Sequence, residues 1–181
     1  MALYYLILAI FPPILIAYYI YKNDLFDKEP KDLIIRSFLL GCIIVIPVYF
    51  TEVSLFNFTD NLFIYTLIGV ALVEEGFKYL VLIKFFFPIK DFDEPYDGIV
   101  YSVMISLGFA TIENIKYVLF DSVAGTESSV AILRMFSAIP LHASCGVIMG
   151  YYVGKSKFKV FSFNNNKISR IISDPKYIGL L

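Results

Sequence analysis

Residues 62–87 read LFIYTLIGVALVEEGFKYLVLIKFFF, and the fold turns on how this run is understood. A helix needs about 20 mostly apolar residues to cross a bilayer. This run is long enough, yet it carries Glu74, Glu75 and Lys78 at its centre. Ionisable groups at that depth cost a few kcal/mol each, so they mark function more often than accident.

The rest of the chain supports the membrane reading. Of 181 residues, 59% are hydrophobic and 17% charged, and the mean hydropathy is +0.74. Apolar stretches of spanning length recur at about 3–21, 33–53, 62–87, 98–120 and 129–153. The expected fold is therefore all-α, a polytopic membrane helix bundle of about five transmembrane helices. The first stretch lacks a basic n-region and a cleavage site, which makes it a retained span. A net charge of −1 and the absence of a basic stripe argue against nucleic acid as a partner. Cys42 and Cys145 lie in apolar runs without a CxxC pattern and read as small buried residues.

Basic residues set the expected orientation. Lys22, Lys28, Lys31 and Arg36 surround the first loop, and Lys84 and Lys90 the third. Lys155, Lys157, Lys159, Lys167, Arg170 and Lys176 follow the fifth span, whereas the second and fourth loops have no Lys or Arg. The positive-inside rule puts the N-terminus outside and the C-terminal tail in the cytoplasm. Residues 1–160 form one membrane-embedded domain in this reading, and 161–181 a polar tail.

Three helices bring polar groups to one depth. At about 1.5 Å per residue, Glu75 lies about 18 Å, Glu113 about 22 Å and His142 about 17 Å from the cytoplasmic ends of their spans. Glu74, Glu75, Glu113, Asn114 and His142 are the candidate catalytic residues. A buried glutamate can act as general base on a water. Asn114 or His142 can stabilise an oxyanion or donate a proton. A divalent metal, zinc for example, on Glu75, Glu113 and His142 is another way to activate that water, though the residue types do not compel it. With a single histidine and no cysteine pair, a closed zinc site is excluded. Interhelical hydrogen bonding by His142, an internal Glu74–Lys78 pair, and a proton or substrate path through a small transporter stay open beside hydrolysis. Lys116 and Arg134, near span ends, read as snorkelling side chains, and Glu52 as an interfacial residue.

The ordered set DKEP, VEEGFK, FDEPYDGIVYSVMISLGFATIENIKY and PLHASCGVIMGYYVGKSKF resembles the PrsW family of bacterial membrane proteases, part of a superfamily of CAAX prenyl endopeptidase-like proteins. The resemblance implies a multi-pass plasma-membrane endopeptidase that cleaves a membrane-anchored anti-sigma factor in an envelope stress response. It carries the family's paired glutamates onto Glu74 and Glu75, its second motif onto Glu113 and Asn114, and its histidine onto His142. It also implies a further helix with a His-Gly-x-x-Asp motif. No second histidine is present, so 161–181 reads as a truncated remnant, and a non-catalytic membrane scaffold is the alternative reading.

Overall fold

The computed structural model describes residues 2–24, 28–56 and 59–164, with side chains described up to 158. All regular structure among them is helical. Helix α1 is Ala2–Lys22, α2 is Lys31–Leu55, α5 is Pro95–Leu119, α6 is Glu127–Phe136 and α7 is Ala138–Asn164. Between α2 and α5 runs a continuous helical rod. It consists of α3 (Leu62–Ile64), a π-helical segment π1 (Tyr65–Ala71), α4 (Leu72–Val81) and a second, π2 (Leu82–Phe86). Four segments are long and apolar enough to cross a membrane: Leu3–Lys22, Lys31–Leu55, Pro95–Leu119 and Glu127–Phe158. The rod over 62–86 coincides with the third span expected from sequence, 62–87, its helix type changing along its length.

The start of α5 follows from local chemistry. Pro95 occupies the first turn, where its missing N–H costs nothing. The N-cap Glu94 is extended, as a residue before proline prefers. Asp97 Oδ2 accepts from the Glu94 N–H at 2.6 Å, closing the first turn. Pro30 is the N-cap of α2, one position outside the helix, and Tyr101 of α5 ties the two starts together by donating its hydroxyl proton to Glu29.

Helix α5 is the axis of the bundle, packing on α2, on α7 and on α1. Its span is 78% buried, against 22% for each of α1 and α2. Glycines permit the close approach. A Cβ on Gly108 would collide with the Phe38 carbonyl oxygen of α2, and one on Gly150 with the Gly98 carbonyl oxygen of α5. Small residues at crossings let helix backbones meet in lipid, where no hydrophobic force drives helices together. At the end of the bundle near residues 86–101, Phe86 stacks on Tyr101 with centroids 4.9 Å apart, and Phe92 packs beside both.

The fifth sequence span, 129–153, is not one helix. The chain breaks at Ser137 between α6 and α7, and Pro140 supplies the reason. Its ring would meet the carbonyl of Phe136 in an unbroken helix, and it has no N–H to give. Helix α7 then runs past 153 to Asn164. The first part of the expected polar tail is thus helical, and 165–181 lie outside the described residues.

Candidate active site

The site begins with the spacing of VEEGFK on α4. At about 100° per residue, Glu75 points about 100° away from Glu74, and Lys78 falls between them at about 40°. Its ammonium therefore reaches both carboxylates, Glu75 Oε1 at 2.7 Å and Glu74 Oε2 at 3.5 Å. Lys78 is fully buried, and its Nζ lies 4.2 Å from the centroid of the Phe109 ring on α5. The internal pair anticipated between Glu74 and Lys78 is thus one side of a wider arrangement.

The third contact of Lys78 comes from α7. Its Nζ donates to His142 Nδ1 at 3.0 Å. An ammonium only donates, so Nδ1 is the acceptor and the ring carries its proton on Nε2. That Nε2–H donates to Glu113 Oε2 on α5 at 3.0 Å. The imidazole is thereby fixed in one tautomer between two helices. Its ring packs against Phe109, with centroids 5.6 Å apart.

Arg134 on α6 completes the chain. Its Nη2 donates to Glu113 Oε2 and its Nε to Asn114 Oδ1, both at 2.7 Å. The guanidinium also lies 4.2 Å from the Tyr117 ring centroid. This arginine does not snorkel to the span end. The break at Ser137 sets α6 against α5, and the side chain turns inward to the nearest buried carboxylate. Lys116 behaves as expected, exposed and paired with Asp121 at 2.8 Å.

All five residues singled out from the sequence thus lie in one neighbourhood, in two groups. Glu74, Glu75 and His142 offer ligand atoms within 4.8 Å of one another, the one such trio found among the described residues. Glu113 stands on the opposite edge of the imidazole. Asn114 faces away towards α1, where its Nδ2 donates to the Ala9 carbonyl at 2.9 Å. Its amide is occupied at both ends, so it ties α1, α5 and α6 together. Glu52, near the end of α2, is close enough to Glu74, Glu113 and Lys78 to act on them electrostatically, which puts it at the rim of the site.

Of the three carboxylates that contact Lys78 or His142, only Glu75 has a buried oxygen without a hydrogen bond, a state that Asp97 Oδ1 and Glu127 Oε2 share away from this network. Glu75 Oε2 is buried and makes no hydrogen bond to any described residue, while Oε1 is held by Lys78. Glu52 Oε1, on the rim, is likewise buried without a hydrogen bond. A fixed carboxylate with one oxygen anchored and one bare is built to accept a proton. Sequence reasoning found the carboxylates and the histidine. It missed Arg134 as a partner of Glu113, and its signal was the lone arginine within the stretch 129–153.

A family model described as PrsW family intramembrane metalloprotease matches residues 29–172. Among curated relatives, the chain is 38% identical over 149 residues to Protease PrsW of Bacillus subtilis (strain 168) and 41% identical over 149 residues to that of Oceanobacillus iheyensis. It is 36% identical over 158 residues to Protease PrsW of Clostridioides difficile (strain 630). The first two alignments cover 81% of this chain and the third 84%. Each covers 66% of the relative, so the chain spans just under two thirds of the relatives' length. No solved structure matches.

Proposed function

The chain belongs to the PrsW family of intramembrane metalloproteases, multi-pass membrane proteins, and on that premise we propose that it hydrolyses a peptide bond of a membrane-anchored protein. The observation that carries the reading is the bare, buried Oε2 of Glu75 beside an anchored Oε1.

In this mechanism a water donates a hydrogen bond to Glu75 Oε2. As its oxygen attacks the scissile carbonyl carbon, the proton passes to that carboxylate. Lys78 holds the other oxygen, so the base cannot rotate away from the water. The tetrahedral intermediate collapses when the nitrogen–carbon bond breaks and the proton leaves Glu75 for the amine nitrogen. Glu74 balances the Lys78 charge and is the alternative base. His142 holds the far side of Lys78, and Glu113, which fixes the imidazole, is the second acidic group. Asn114 acts through Arg134, keeping Glu113 in place. Burial of the network in the bundle excludes bulk water and strengthens each of these electrostatic contacts.

The zinc that the family name implies would find donors of suitable type in Glu74, Glu75 and His142, which resemble an open catalytic set. Their shared centre faces the Lys78 ammonium, however, so no step is assigned to a metal. In this reading the substrate would be a membrane-anchored regulator of the anti-sigma-factor kind, cut at the first site of a stress-signalling cascade.

The test is a cell-based release assay, with a tagged single-span anti-sigma factor expressed beside this chain. Release of the soluble domain should be abolished by Glu75→Gln, which keeps size and loses basicity, at unchanged membrane abundance. Release at the unsubstituted rate from the Glu75→Gln form would refute the assignment.

A further inference from the structure

Lys78 stands where a metal ion would have to be. From the geometry we infer that its ammonium and a divalent cation are mutually exclusive occupants of the space between Glu74, Glu75 and His142, so that Lys78 sets the metal affinity of this site.

The decisive atom is His142 Nδ1. A neutral imidazole nitrogen of this kind has one lone pair, which can either accept a hydrogen bond or bind a metal. Here it accepts from Lys78 Nζ at 3.0 Å. The other nitrogen is committed to Glu113 at 3.0 Å and carries the proton. Nor can the carboxylates avoid the lysine. Glu75 and Glu74 lie three and four residues before it on one helix, which brings all three together without help from the other helices. An ion about 2.0–2.2 Å from these three donors would be in contact with an ammonium already 2.7, 3.0 and 3.5 Å from them. Two cations cannot share that space.

The lysine also has no easy retreat. It is fully buried, and the Phe109 ring lies against its Nζ at 4.2 Å. Loading a metal therefore requires the Lys78 side chain to swing out of a closed cage. The same lysine supplies the positive charge that the three donors would otherwise draw from an ion. Metal occupancy of this space and peptide hydrolysis by Glu75 are separate properties, so either can fail while the other stands.

The test is zinc binding by the purified full chain in detergent micelles, followed by calorimetry and by competition with a chromogenic chelator. Lys78→Met, close in length but uncharged, should bind zinc at least tenfold more tightly than the unsubstituted chain. Lys78→Gln should do the same, and it serves as the working form if size-exclusion chromatography shows that Lys78→Met has lost its fold. Lys78→Arg, which retains a cation, should stay as weak as the unsubstituted chain. Adding Glu75→Gln to the Met or Gln form should remove the gain, which ties the bound zinc to this site. Equal zinc affinities in the neutral and charged forms, or no zinc binding by any of them, would overturn the inference.

Discussion

Replacing Arg134 by methionine separates the structure from the simplest sequence reading of that residue. A snorkelling arginine at a span end interacts mainly with water, and its removal would cost about 0–1 kcal/mol, as for other exposed charges. In the structure the guanidinium makes two charge-assisted bonds, to Glu113 and to Asn114, each 2.7 Å long. The side chains of Arg134 and Glu113 are only 14% and 17% exposed. Hydrogen bonds to charged groups contribute about 1.5–3 kcal/mol, and stranding one partner of a buried pair costs about 3–5 kcal/mol. With the residual exposure providing some screening, Arg134→Met should destabilise the fold by about 2–4 kcal/mol. Unfolding in mixed micelles with rising dodecyl sulfate reads this directly. A double-mutant cycle with Glu113→Gln should show coupling of about 2 kcal/mol, because each substitution removes the same ion pair. A loss below about 0.5 kcal/mol, or coupling near zero, would mean that the inward geometry of α6 is wrong.

Other perturbations probe the scaffold around the site. Asn114→Leu fills similar volume but leaves the Ala9 carbonyl and the Arg134 Nε–H without partners, so micelle unfolding should show a loss of about 1–3 kcal/mol, and an unchanged midpoint would exclude the α1 tether. Gly108→Ala drives a Cβ into the α2 backbone and should cost about 1–3 kcal/mol, whereas Gly76→Ala has nothing within 4 Å and should be neutral or slightly stabilising; equal effects would refute the close crossing. Outside the spans, burial pushes the Glu29 carboxyl up to about 9, the hydroxyl of Tyr101 partly offsetting this while Asp97 and Asp24 add to it. The folded state therefore holds the proton more tightly than the unfolded chain. Stability is full below the ordinary value of 4.5, falls as pH rises towards 9 and then levels off. Glu29→Gln should flatten that fall in thermal unfolding scans, and parallel pH profiles for the two forms would rule out Glu29 as its source.

The spans and the polar layer were legible because length and depth are one-dimensional quantities. A count of apolar residues locates a helix, and 1.5 Å per residue locates Glu75, Glu113 and His142 along theirs. Direction around the helix was harder. Asn114 adjoins Glu113 in sequence, but a step of about 100° turns it towards α1 rather than towards His142. The break at Ser137 was visible in Pro140, yet prolines inside spans are often tolerated, and Pro12, Pro13 and Pro47 lie within unbroken α1 and α2. What distinguishes Pro140 is tertiary. Without the break, α6 would continue the line of α7, and Arg134 would have no route to Glu113.

Helix α5 explains why the site could form at all. It is the least apolar of the four candidate spans and by far the most buried. In water that combination would be perverse; in a bilayer it is expected, because lipid rather than the protein interior demands apolar surface. Ser102, Ser106, Gly98 and Gly108 let α2 and α7 approach the α5 backbone closely. That close approach carries His142 and Glu113 to hydrogen-bonding distance. Three carboxylates, two fixed cations and a neutral imidazole then leave a net charge of −1 across the linked groups, instead of five charges left on three separate helices. Lys78 finds its carboxylates on its own helix, whereas Glu113 is paired only because α6 and α7 deliver Arg134 and His142 to it. A substitution that widens the α5–α7 crossing should therefore weaken the polar network before it exposes any apolar surface.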